Sequence, residues 1–223
     1  MHVDHDTGRD AFVAELDQLL EAAVHLDDHD LLATSRCRGW TVADVLTHVH
    51  LGLQEMLLGL VSPTDRPATV DAATYWSSAP PGNDADASDT DQVRYVRVLT
   101  SAYRRPTGCV RHLALTARIL ARAAARTVPE AHLDFQGQVI DAGDFFATWA
   151  VELAVHHLDL TPELLVAPPT PASLRLARRT VTELAGGPLP TGLSDADAVL
   201  IGTGRVPLPA TPDLSALRLP AFG

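Results

Sequence analysis

Apolar residues recur at helical spacing in five segments of the chain, and turns rich in Pro, Gly and Asp separate them. The first segment ends near Leu26 and has Thr7 as its expected N-cap. The second begins at Thr41, and Asp44 stands three residues later, in a capping-box position. The pattern therefore predicts two long N-terminal helices that are joined by an acidic turn.

Three further helical patterns follow. One runs from about residue 91 to residue 126, where Pro106 and Gly108 interrupt it, so we expect a kink or two helices in line. The next begins at Asp144, and the last lies between Thr170 and Gly186. The stretch 63–91 is a long loop with four prolines, and residues 133–140 can be briefly extended.

Together the segments predict an all-α fold. Four main helices with apolar stripes and one long connection fit an up-down four-helix bundle, whose core commonly hosts metal sites. We assign this bundle to residues 1–165. Residues 166–223 are then a short helical and irregular C-terminal extension.

The fourth helix carries the most informative polar residues. Glu152 and His156 are four residues apart and project from one side of the helix, and Asp159 follows three residues later. A helical wheel places His156 inside the apolar stripe and the two carboxylates at its edge. Buried ionisable groups cost free energy unless something satisfies them, and a bound metal ion would do so. The alternative is a plain interior pair formed by Glu152 and His156.

A third ligand would have to come from another helix. The second helix offers His48 and His50, which both flank its apolar stripe. Each could instead be a hydrogen-bonded interior residue, and helical periodicity does not choose between the two.

The composition excludes several classes of protein. The formal net charge of −11 argues against binding to nucleic-acid phosphates, which requires a basic patch. No apolar run approaches a membrane span, and the polar, acidic start is unlike a signal peptide, so we expect a soluble cytoplasmic protein. Cys37 and Cys109 are expected to be free thiols in a reducing compartment.

Two motifs resemble the signatures of one known family. The run Arg38-Gly-Trp-Thr-Val-Ala-Asp-Val-Leu-Thr-His48-Val resembles the first, and Glu152-Leu-Ala-Val-His156-His-Leu-Asp159-Leu resembles the second. They occur in the order, and at the separation of about a hundred residues, that is typical of the mycothiol-dependent maleylpyruvate isomerase family. The resemblance implies a DinB-like bundle, followed here by a reduced relative of that family's C-terminal domain.

The resemblance also implies a metal site. In the family, the first-motif His and the second-motif Glu and His bind one divalent metal, usually zinc, which would make His48, Glu152 and His156 the ligands here. Nickel is the alternative ion. Three protein ligands with one open position are typical of catalytic zinc. Asp159 would then be either a partner of a ligand imidazole or a surface acid at the helix end.

The implied chemistry is that of a thiol-dependent enzyme. Mycothiol, as a metal-bound thiolate, would attack an electrophilic small molecule in an isomerisation or an S-transfer. Arg205 would contact a substrate carboxylate, or it is an ordinary surface residue of the tail. The other class of function is a non-catalytic, metal-binding bundle with a structural or regulatory role. Its fourth coordination position would be closed by a protein ligand, for which His50 and His157 are the candidates.

Overall fold

The computed structural model describes residues 1–77, 89–160, 164–209 and 212–222, and most of them are helical. The helices, in chain order, are α1 His5–Val24, α2 Asp28–Leu31, α3 Val42–Leu60, α4 Asp89–Ser101, α5 Thr107–Ala124, α6 Ala142–Asp159, α7 Pro171–Ala185, α8 Asp195–Gly202 and α9 Pro212–Ser215. The strands are β1 Pro63–Thr64, β2 His132–Phe135 and β3 Gln138–Asp141, and Thr74–Ser77 form one turn of 3₁₀ helix.

The core lies between the four longest N-terminal helices. α1 packs along α6, α3 packs along α5, and α1 also contacts α5. The largest fully buried side chains come from these helices, among them Phe12, Leu16, Leu46, Leu53 and Phe145. α7 packs on α6, and α8 packs on α7. None of the helices in the described ranges combines the length and the apolar character that crossing a membrane requires.

The helix starts agree with the sequence prediction for α3 but not for α1. Thr41 and Asp44 form the predicted capping box, with the Asp44 carboxylate accepting from the Thr41 N–H at 2.8 Å. The expected cap at Thr7 is wrong. Asp4 caps α1 by accepting a hydrogen bond from the Thr7 N–H at 2.9 Å, so Thr7 lies inside the first turn. Both residue types cap helices, and Asp4 comes first in the chain.

The later helices lie close to their predicted positions. The interrupted third pattern is two helices, α4 and α5, as expected around Pro106. α6 begins at Ala142, slightly before the predicted start. α7 begins after Thr170 and ends just before Gly186, whose left-handed backbone, with a φ of 79°, favours glycine.

The prediction of an all-α fold is wrong in one respect, because the protein has a small antiparallel sheet, and the stretch 133–140, predicted to be briefly extended, supplies most of β2 and β3. β2 pairs with β3, and β1 pairs with β2. The hairpin turns at Gln136 and Gly137, which both have positive φ, as the mirror-image hairpin turns require. The stretch predicted as a loop over 63–91 supplies β1 and the 3₁₀ turn, while its residues 78–88 lie outside the described ranges.

Candidate metal centre

The structure brings the three predicted ligands together. α3 presents His48, and α6 presents Glu152 and His156. One Glu152 oxygen, Oε1, lies 3.4 Å from His48 Nε2 and 3.2 Å from His156 Nε2. The two imidazoles meet edge to face, with centroids 4.7 Å apart, and the donor atoms of all three residues lie within 4.8 Å of one another. We call His48, Glu152 and His156 the ligand trio.

The two histidines that were candidates for the fourth coordination position lie elsewhere. His50 is buried against His112 of α5, with ring centroids 4.4 Å apart. Burial, the larger cause, and the nearby His112, the smaller, lower the pKa of His50 to about 4. His157 points toward α1, where its Nδ1 lies 2.8 Å from an oxygen of the buried Glu15. Neither is among the side chains grouped around the ligand trio.

Asp159 lies on the far side of the His156 ring. Its Oδ2 is 3.0 Å from His156 Nδ1, so the ring stands between two carboxylates, with Glu152 at Nε2. The Asp159 side chain is fully buried and has further donors. Cys37 Sγ donates to it at 3.0 Å, and two guanidinium nitrogens of Arg205 donate at 3.3 Å. Asp159 is therefore the common acceptor for three other side chains.

This arrangement shifts the pKa of each group. Burial by itself disfavours the charged imidazole, but the attraction of Glu152 and the hydrogen bond to Asp159 outweigh it and raise the pKa of His156 well above 6.5. Burial tends to raise the pKa of Glu152 and of Asp159, yet the neighbouring His156 outweighs it and lowers both. The two carboxylates thus favour the protonated form of the His156 ring.

Arg205, the predicted substrate contact, lies beside the trio. Its side chain is mostly buried, and its guanidinium contacts Asp159 and the carbonyl of Thr203, the latter at 3.1 Å. Three of its five N–H donors are engaged in these bonds, so others can still face an anion.

Sequence reasoning did not assign Cys37 or Trp40 to the site. Cys37 reaches Asp159 across a separation of 122 residues, and the Trp40 ring packs 5.0 Å from that of His48. Cys37 directly precedes the first motif and Trp40 lies inside it, and these positions are the signal that could have found them. A long-range contact such as that of Cys37 has no periodic pattern in the sequence.

Among the cavities that the described residues form, two reach His48 and Glu152 of the ligand trio. The larger, about 1100 Å³, has Arg36, Arg38 and Arg205 in its wall, together with Cys37 and His156. We call it the arginine cavity.

The smaller cavity, about 540 Å³, is lined by aromatic rings that include Tyr75, Tyr95 and Trp149. We call it the aromatic cavity. His48 and Glu152 line both cavities, so the two spaces meet at the trio.

The fold and the site together define a class of protein: a mostly helical protein with a histidine–carboxylate cluster between two of its helices. A family model described as the mycothiol maleylpyruvate isomerase N-terminal domain matches residues 12–161, and the chain belongs to this family. Among solved structures, the chain resembles the mycothiol-dependent maleylpyruvate isomerase, with a TM-score of 0.60 and 14% identity, and a histidine-to-alanine mutant of that enzyme, with a TM-score of 0.61 and 13% identity. Each overlap covers 91% of this chain and 90% of the other. No curated protein matches the chain at a significant level.

Proposed function

We propose that the chain is a divalent-metal-dependent enzyme that uses mycothiol as its nucleophile, as an isomerase or an S-transferase. The observation that carries the proposal is the convergence of the ligand trio, from two helices, at positions that both motifs match. Membership of the family supports the use of mycothiol.

The residues of the trio fit a divalent ion. His48 and His156 both direct Nε2 toward the same Glu152 oxygen, and two imidazoles with one carboxylate are a donor set that zinc prefers. The hydrogen bond from His156 Nδ1 to Asp159 leaves Nε2 as the metal-binding atom, the carboxylate–histidine arrangement common around zinc. We propose zinc as the ion, with nickel as the alternative. When bound, such an ion lowers the pKa of a thiol and holds it as a thiolate near neutral pH.

Residues around the trio would hold the second reactant. Arg36, Arg38 and Arg205 give the arginine cavity a positive wall in a chain whose net charge is −11. An electrophile that carries a carboxylate would be attracted into this cavity and placed beside the trio. We retain Arg205 as a substrate-binding residue, and Asp159 as the residue that orients both His156 and Arg205.

The competing proposal, a structural or regulatory metal bundle, requires a fourth protein ligand. His50 and His157 were the candidates, and each is engaged away from the trio. The cavities at His48 and Glu152 instead leave space for small molecules. These observations favour an enzyme.

We further propose that α1, α3, α5 and α6 form the DinB-like up-down bundle, with residues 1–165 as the metal-binding unit and residues 166–223 as its extension. The free thiols Cys37 and Cys109 suit the reducing cytoplasm, where we place the activity.

Cobalt substitution tests the proposal without depending on an unknown electrophile. We expect the cobalt-loaded protein to develop a thiolate-to-cobalt absorption band when mycothiol is added at neutral pH. His48→Ala should lose the band. His50→Ala is the matched control, because it removes a buried histidine of the same helix outside the trio. A fully loaded wild-type protein that shows no band with mycothiol would refute thiol binding at this centre.

A further inference from the structure

The aromatic cavity and the arginine cavity differ in charge, although they share His48 and Glu152 of the ligand trio. The described residues that line the aromatic cavity include no arginine. Its acidic groups are Glu55 and Glu152, and its other polar side chains include the amides of Gln54 and Gln136. Such a wall disfavours an anion and offers hydrogen bonds to uncharged hydroxyl groups.

The aromatic surfaces of this cavity are held in place. The Trp149 ring packs on Gly52, where an added Cβ would lie 3.2 Å from the ring atoms. The ring can therefore occupy this position because Gly52 has no side chain. The Tyr75 hydroxyl donates to Gln136 Oε1 at 2.9 Å, and Gln136 Nε2 donates to Glu55 at 3.1 Å. This chain of hydrogen bonds fixes both a ring and an amide before any ligand enters.

The cavity also has an outer aromatic wall that is open to solvent. Tyr95 of α4 lines it with a side chain that is 61% exposed, and Gln54 of α3 is exposed as well. Exposed aromatic residues in a concave wall can cover the apolar face of a ring-shaped ligand.

We propose that the aromatic cavity is the subsite for an uncharged, hydroxyl-rich ring portion of the thiol co-substrate. The thiol end would then lie at His48 and Glu152, where the cavity reaches the trio. Aromatic faces cover the C–H surfaces of such rings, while amide and carboxylate groups bind their hydroxyls. The volume of about 540 Å³ lies within the range of roughly 300–1,000 Å³ typical of small-molecule sites. This inference rests on the proposed function.

The test compares two thiols that share one end. Mycothiol carries hydroxyl-rich rings, whereas N-acetylcysteine amide has an equivalent uncharged thiol end and no ring. Binding of each to the zinc-loaded protein is measured by titration calorimetry, for the wild type, for Tyr95→Ala and for the control Val98→Ala. Val98 is 67% exposed on the same helix and does not line the cavity.

We expect the wild type to bind mycothiol more tightly than the ring-free thiol. Tyr95→Ala should weaken mycothiol binding by about 3- to 10-fold, the size of one aromatic contact, and leave N-acetylcysteine amide unchanged. Val98→Ala should change neither affinity.

The other outcomes separate the two proposals. If the wild type binds both thiols equally, or if Tyr95→Ala weakens both thiols alike or neither, the subsite is refuted while thiol use survives. If the wild type, fully loaded with zinc, binds neither thiol, the proposed function itself fails.

Discussion

At the scale of single residues, the account depends on His156 and the two carboxylates beside it. Glu152 contacts Nε2 of His156 and also lies beside His48, and Asp159 contacts Nδ1 of His156. A buried imidazole with an acceptor at each nitrogen is costly to rearrange, because any tilt of the ring breaks a buried hydrogen bond. The ring is therefore positioned before any ion arrives.

Asp159→Asn tests the role of the far carboxylate. The amide accepts more weakly from His156 and leaves Arg205 without its counter-ion, so we expect zinc affinity to fall by about 10- to 100-fold. Competition with a chelator measures that affinity. Asp144→Asn is a matched control, since Asp144 is also buried on α6 and also pairs with a histidine, His2, away from the trio. Equal losses in the two variants would contradict a specific role for Asp159.

The pH dependence of zinc binding tests the electrostatics of the same ring. Zinc needs the neutral imidazole, and the pKa of His156 is raised well above 6.5. The affinity should therefore keep rising, by about tenfold per pH unit for one displaced proton, from pH 6 through neutrality. The lowered pKa of Glu152 keeps this carboxylate ionised throughout, so it adds no slope. An affinity that levels off near pH 6.5 would show that the pKa of His156 is not raised.

At the scale of elements, α3 and α6 could largely be predicted from the sequence, because their signals are local. The capping box at Thr41 fixes the start of α3, and apolar spacing defines both helices. Spacing within α6 also predicts that Glu152 and His156 share a face. The choice between His48 and His50 could not be made this way, since both flank the stripe and only the neighbouring helices separate them.

Other elements depend on contacts that a local pattern does not contain. β1 is only two residues long and forms by pairing with Leu133 and His132, far along the chain. Its sequence, inside a proline-rich stretch, predicts a loop. The hydrogen bond between Cys37 and Asp159 also joins residues that are far apart in sequence. It forms because the start of the first motif packs against the end of α6.

The close approach between the residues just before α1 and the start of α6 gives a test at this scale. A Cβ at Gly143 would lie 2.3 Å from the Val3 carbonyl oxygen, so the backbones must move apart in Gly143→Ala. We expect this variant to lower the free energy of unfolding by at least about 1–3 kcal/mol, measured by denaturant titration. Gly192→Ala, where an added Cβ would have no atom of the described residues within 4 Å, should change the free energy of unfolding by less than about 0.5 kcal/mol. Similar losses of unfolding free energy in both variants would show that the fold does not depend on this close backbone contact at Gly143.

At the scale of the whole molecule, a buried acid ties the C-terminal extension to the helical core. Glu15 of α1 accepts hydrogen bonds from His157 of α6 at 2.8 Å, from the Thr170 N–H at 2.7 Å and from the hydroxyl of Ser173. Thr170 caps α7, so one carboxylate joins three helices. The extension also carries Arg205 to Asp159, which connects this packing to the candidate metal centre.

Glu15→Ala should therefore loosen the extension. It leaves the donors on His157 and Thr170 without their acceptor and removes one of the acceptors of the Ser173 hydroxyl, so we expect a loss of about 2–4 kcal/mol in the free energy of unfolding. Hydrogen exchange should become faster in α7, with α3 changed less. Glu21→Ala, on the same helix but exposed, is the control. Unchanged exchange in α7 would contradict the linking role of Glu15.

The central claim is that His48, Glu152 and His156 hold a divalent ion, and the metal content of the purified protein tests it most directly. Elemental analysis should find close to one zinc or nickel ion per chain in the wild type and in His50→Ala, and almost none in His156→Ala prepared identically. A folded wild type that contains no metal and takes up none when zinc is added would contradict the account.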